Sequence, residues 1–238
     1  MIDINEKLIN EDLKSKIYKI KDNIFIKEIL IKDIFINTEQ DILEGLKKCI
    51  HDKYSDIDIT LNIKDNNCIQ LKDIGIVNEE ILGIKLEVTE RNCVIRMIQK
   101  NGIRYDIILF GADNKKIEKE INILGKSDMF VAILALGKLM RNDYLISAHL
   151  AHMLCMNSLV EQMEARDVTY NTNFHRYGYR ENLNYFNTYK NIENKYCNSD
   201  DKVYNHISKL LMSGIENIKS MSNTDKKNFY EIWDFYLK

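Results

Sequence analysis

Proline is absent from all 238 residues. Beside so much Ile, Lys and Asn, that absence reflects genome composition and leaves function open. No apolar run approaches the ~20 residues that a membrane-spanning helix needs, so a membrane partner is not expected. The opening residues, Met1-Ile2-Asp3-Ile4-Asn5-Glu6-Lys7, lack the basic and then apolar character of a secretion signal. The five cysteines, Cys49, Cys68, Cys93, Cys155 and Cys197, never form a Cys-x-x-Cys pair. Without that metal spacing, an odd number of cysteines points to reduced thiols in a cytoplasm. Charge of one sign is also missing. A formal net charge of -2 leaves no electrostatic footprint for nucleic acid and argues against a large RNA partner. No internal repeat is present. What remains is a chain with 45% hydrophobic and 29% charged residues, long enough for one large domain or two small ones.

Hydropathy patterning divides the chain near residue 112. Residues 5–20 carry apolar side chains at helical spacing (Leu8, Ile9, Leu13, Ile17, Ile20), and residues 24–36 alternate too loosely to separate helix from strand. Alternating runs follow at 57–61 and 81–89. Two more, Cys93 to Gln99 and Ile103 to Phe110, flank Lys100-Asn101-Gly102, and an Asn-Gly between such runs predicts a β-hairpin. Gly111-Ala112-Asp113-Asn114 reads as a boundary. Beyond it, helices are expected over 115–141, 143–167, 201–220 and 224–237, while the Tyr- and Asn-rich stretch 168–199 resists assignment. The expected fold is α+β: a mixed sheet with flanking helices over 1–112, then a helical bundle over 113–238.

Tyr54-Ser55-Asp56-Ile57-Asp58-Ile59-Thr60-Leu61 carries the chemistry. Side chains alternate along a strand, so Asp56 and Asp58 project from one face while Ile57, Ile59 and Leu61 cover the other. Two like charges so placed repel unless a cation joins them, and hard divalent ions take carboxylate oxygens readily. On the hairpin's second strand, Asp106 shares a face with Arg104 and Ile108. If that strand lies beside the first, Asp106 completes a trio of acids, and a metal-dependent phosphoryl or nucleotidyl transfer site is the reading that follows.

Leu43-Glu44-Gly45-Leu46, nine further residues, Asp56-Ile57-Asp58 and a later strand acid together resemble the nucleotidyltransferase superfamily of the DNA polymerase β type. That signature is a Gly-Ser turn, a strand bearing Asp-x-Asp, and a third acid. Met97 to Asp106 looks like the third-acid hairpin of bacterial aminoglycoside adenylyltransferases, those acting on streptomycin in particular. Phe174-His175-Arg176-Tyr177-Gly178 looks like part of that group's helical domain. The resemblance implies that Asp56, Asp58 and Asp106 bind metal and catalyse. It implies two Mg²⁺ ions and an NTP, ATP first among them, as co-substrate. Gly45, Lys47 and Ser55 would hold the nucleotide, with Leu46 standing where the family has serine. A nucleoside monophosphate would pass to a hydroxyl of a small, aminoglycoside-type acceptor. For a cationic acceptor, Glu161, Glu164 and Asp167 would line an acidic cleft, and His175, Arg176 and Tyr177 would supply further contacts.

Plainer readings stand beside these. Glu161, Glu164 and Asp167 also read as a solvated helix face. His149 and His152, three apart, suit a metal but lack an evident third ligand. Residues 175–179 also read as Tyr-rich packing, and the stripe Met153, Met156, Leu159, Val160 and Met163 as core. Two other functions fit: a relative that binds nucleotide but is catalytically impaired, prompted by Leu46, and a transferase that modifies a protein or RNA.

Overall fold

A computed structural model describes residues 6–50, 52, 54–67, 69–89, 92–169, 171, 196, 197 and 199–238. They form two compact units, one reaching to Phe130 and the other beginning at Val131. Among the described residues there are six strands and seven α-helices, so the α+β class and the C-terminal run of helices are both present. No described helix is long and apolar enough to cross a membrane.

The first unit is built on one mixed sheet. Its strands are β1 (Ile26–Ile31), β2 (Ile34–Phe35), β3 (Ile57–Asn67), β4 (Ile81–Val88), β5 (Asn92–Gln99) and β6 (Arg104–Ala112), in the spatial order β2-β1-β3-β6-β5-β4. Only β3 and β6 run parallel; every other neighbouring pair is antiparallel. Residues 24–36, ambiguous by pattern, form β1, a tight turn and β2. Lys100-Asn101-Gly102 turns between β5 and β6 as expected. Gly102 there takes φ 86°, a conformation that a side chain disfavours.

Alternation gives the sheet two different faces. Ile57, Ile59, Leu61 and Ile63 of β3 and Tyr105, Ile107 and Leu109 of β6 are buried on one of them. Ile9, Leu13, Ile17 and Ile20 of α1 (Glu6–Lys21) pack in the same core, with Ile42, Leu46 and Cys49 of α2 (Glu39–Cys49). Ile117 and Ile121 of α3 (Asn114–Leu124) join them. The sheet's polar face carries Asp58, Thr60 and Asn62 on β3 and Arg104 and Asp106 on β6, so the acids lie opposite the core.

Two boundaries differ from the sequence pattern. α3 packs with the sheet's core, so the first unit extends past the turn at 111–114. The single helix expected over 115–141 is two, α3 and α4 (Ser127–Met140). Gly125, at φ 62°, ends the first in the left-handed conformation typical of helix C-termini.

The second unit is helical. α5 (Tyr144–Thr169) lies along α6 (Lys202–Asn217), and Gly214 allows the approach: a Cβ there would stand 2.9 Å from that of Leu154. α7 (Asn223–Leu237) starts with the Ser222 hydroxyl accepting from Asp225 N. It buries Phe229 and Trp233, and the Tyr196 ring lies tilted against Trp233 with 4.5 Å between ring centroids. Of the stripe expected as core on α5, Met153, Met156 and Val160 are exposed and Leu159 and Met163 are half-buried. The face actually covered carries Ala151, Leu154, Cys155 and Ser158, small or medium residues that let α6 approach.

Candidate active site

The parallel pair β3–β6 brings the distant acids together. Asp58 and Asp106 are direct cross-strand partners, although 48 positions separate them, and Asp56 precedes β3 by one residue. Burial is the largest effect on Asp106, whose side chain is 18% exposed. With Asp56 and Asp58 adding repulsion, it pushes the Asp106 carboxyl up to about 6, against the pull of Arg96 and Arg104.

Each acid has its own basic partner. Arg104, only 5% exposed, places Nε 2.7 Å from Asp56 Oδ1. Its Nη1 donates to the Tyr54 carbonyl at 3.0 Å, fixing the approach to β3. Lys32 Nζ donates to Asp58 Oδ2 at 2.7 Å, and that bond raises the proton affinity of the lysine. Arg96, opposite Asp106 on β5, reaches Asp106 Oδ2 at 3.6 Å and Glu87 Oε2 at 3.2 Å. Among the described residues, no group of three or more His, Cys, Asp or Glu side chains is arranged to hold a metal ion. Asp56, Asp58 and Asp106 are all carboxylates, the ligand type that hard divalent cations take, and the repulsion of Asp56 and Asp58 registers at Asp106.

Beneath the acids lies Cys49, at the C-terminal end of α2. Burial pushes its thiol up, while a hydrogen bond from the Asp58 backbone works the other way.

The residues expected to cradle the nucleotide are placed differently. Gly45 and Leu46 lie inside α2, not in a turn, because Thr38 and Asp41 form a capping box that starts the helix upstream. Both are buried. An added Cβ at Gly45 would stand 2.7 Å from Ile31 Cβ, so the glycine serves helix-to-strand packing. Lys47 is exposed on the last turn of α2. Ser55 donates its hydroxyl to Asp52 Oδ1 at 3.0 Å and accepts from Asp52 N at 3.0 Å, within a turn before β3. The turn that does abut Asp58 is Lys32-Asp33, between β1 and β2.

On α5 the three acids have separate fates. Glu161 accepts from Lys219 N at 2.7 Å, Glu164 is exposed, and Asp167 is buried. His149 and His152 are both exposed, and the His152 ring lies 6.5 Å from that of His206 on α6. His175, Arg176 and Tyr177, with Tyr179, lie outside the described residues.

Lys32 and Arg96 are site residues that the local pattern did not single out. Arg96 was findable: a register counted across the three-residue connection Lys100-Asn101-Gly102 sets it opposite Asp106. Lys32 was not, because its run could not be assigned to strand or helix. No protein-family model matches the chain, and no curated protein matches it.

Proposed function

We propose that this protein is a metal-dependent nucleotidyltransferase that moves a nucleoside monophosphate from an NTP, ATP first among them, to a hydroxyl of a small molecule of aminoglycoside type. The observation that carries the reading is the register of Asp58 against Asp106 on adjacent parallel strands, with Asp56 close enough to add its repulsion at Asp106. Asp56, Asp58 and Asp106 would hold Mg²⁺. Bound there, the ion would neutralise the polyphosphate and stabilise the entering and leaving oxygens of an in-line displacement. Where Asp106 is not itself a ligand, its raised carboxyl, titrating near 6, is suited to accept the proton of the attacking hydroxyl. The hydroxyl oxygen bonds to the α-phosphorus, the α–β phosphoanhydride bond breaks, and pyrophosphate leaves. Arg104 holds Asp56 and the Tyr54 carbonyl in place, so the first acid is positioned before any ligand arrives.

Incubation with each of the four NTPs, Mg²⁺ and a panel of aminoglycosides tests this. Pyrophosphate release that needs an acceptor and is lost in Asp58→Asn supports the reading. Nucleotide binding without turnover across the panel replaces it with the binding-module reading, which the buried Gly45 and Leu46 favour. Labelling of a protein or RNA alone replaces it with a macromolecular acceptor.

Metal affinity should depend on pH. Asp106 must give up its proton to become a ligand. Mn²⁺ binding, followed by the electron paramagnetic resonance of the free ion, is therefore expected to weaken steadily as pH falls below about 6, the value near which that carboxyl titrates. A flat profile between pH 5 and 8 would remove Asp106 from the ligand set.

A further inference from the structure

Lys32 occupies a position that the hairpin alone gives no reason to fill with lysine. With Asp33 it makes the two-residue turn between β1 and β2, at φ 44° and 67°. Such turns ordinarily use Asn and Gly, because a longer side chain is strained at positive φ. Strain of this kind persists where the surrounding structure demands it, and it clusters at functional positions. Here the same residue makes two bonds to Asp58. Its backbone N–H donates to the Asp58 carbonyl at 3.1 Å, and its ammonium donates to Asp58 Oδ2 at 2.7 Å.

The three basic partners of the acids differ in how easily they could leave. Arg104 is buried, ion-paired to Asp56 and hydrogen-bonded to the Tyr54 carbonyl. Arg96 is shared between strands with Glu87. Lys32 is a single ammonium on a flexible arm, its side chain 46% exposed, while Asp58 is 32% exposed. Lysine binds as a mobile point charge, where arginine's planar fork fixes its partner.

We infer that Lys32 is an exchangeable counter-ion: it holds Asp58 in the free protein, yields that carboxylate to a divalent cation, and then donates to the polyphosphate oxygens that arrive with the cation. The inference rests on the reading of the acids as a metal–nucleotide site. A divalent ion and an ammonium compete for the same Oδ2. Once the ion has that oxygen, the ammonium faces a double positive charge, and the nearest new anion is the polyphosphate. The backbone bond from Lys32 N keeps the turn on β3 while the side chain changes partner.

The experiment measures Mn²⁺ alone, and then Mn²⁺ with non-cleavable α,β-methylene-ATP, on the wild type, Lys32→Gln, Lys32→Asn and Asp58→Asn, with circular dichroism reporting the fold. Asparagine tolerates positive φ, so loss of fold in one neutral variant leaves the other to decide. Both are expected to bind Mn²⁺ alone about three- to fivefold more tightly, the worth of a partly exposed ion pair. Both are expected to bind the Mn²⁺–nucleotide about tenfold or more weakly, the worth of a charge-assisted phosphate contact. A merely structural salt bridge would not move the two affinities in opposite directions. Unchanged affinities, or two changes of the same sign, overturn the inference while Asp58-dependent binding by the wild type stands. If the wild type shows no such binding, the metal reading fails and the inference falls with it.

Discussion

Asp106→Asn is expected to abolish turnover while making the protein more stable at neutral pH. The loss of nucleotidyl transfer should reach at least about 10³-fold, because an amide neither accepts the attacking hydroxyl's proton nor binds a divalent ion as a carboxylate does. The stability change follows from the raised titration of the same group. Its carboxyl holds a proton up to about 6 in the folded chain, against an ordinary 3.8. The folded state therefore binds that proton more tightly than the unfolded state, and ionising the group costs stability. The cost is absent below about pH 4 and complete above about pH 6, and it amounts to as much as about 3 kcal/mol. That figure already includes the opposing pull of Arg96, whose guanidinium lies 3.6 Å away. Urea unfolding at pH 8 should give the variant the higher midpoint, and the difference should close as pH falls toward 4. A variant less stable than the wild type at pH 8 would mean that the acids are not crowded as their register implies. Its structural readout is independent of the reaction, so the two halves can fail separately.

The two halves of this site were unequally legible. Alternation of apolar and polar residues put Asp56 and Asp58 on one face, and Asn101-Gly102 gave the hairpin that carries Asp106. Both are local facts, decided by period and turn chemistry. Pairing β3 with β6 is not local, because β4 and β5 intervene in the chain. Nothing in either strand's pattern dictates a parallel partner or sets residue 58 opposite 106. The first unit's polar face, with Arg104 on it and Arg96 across the hairpin, could be anticipated, but Lys32 and the meeting of the two acid-bearing strands could not. The β1–β2 turn was hidden for another reason: it is closed by Lys32 and Asp33, where the usual signal is glycine or asparagine. Gly45, which the resemblance implies would hold the nucleotide, lies in a helix interior, where an added Cβ would meet Ile31 of a neighbouring strand.

That distinction makes Gly45→Val a discriminating substitution. Were Gly45 a phosphate-approach residue, valine would cost nucleotide affinity and leave the free protein's stability nearly untouched. The packing argues for the reverse. A Cβ at position 45 would lie 2.7 Å from both Cβ and Cγ2 of Ile31 and 3.1 Å from its carbonyl oxygen. Ile31 is fully buried and ends β1, so neither it nor α2 has room to yield. Valine adds two methyl groups to that clash, and the expected cost is about 3 kcal/mol or more, with only a few tenths returned by its better helix propensity. Urea unfolding without any nucleotide should register the loss. Ile31→Ala removes Cγ2 but keeps Cβ, so the double variant is expected to recover only part of it, as two groups in direct contact should behave. Ile31 also immediately precedes Lys32, so whatever strain displaces the end of β1 displaces the cation at Asp58. The packing of α2 on β1 is thus part of how the acid face keeps its charge arrangement.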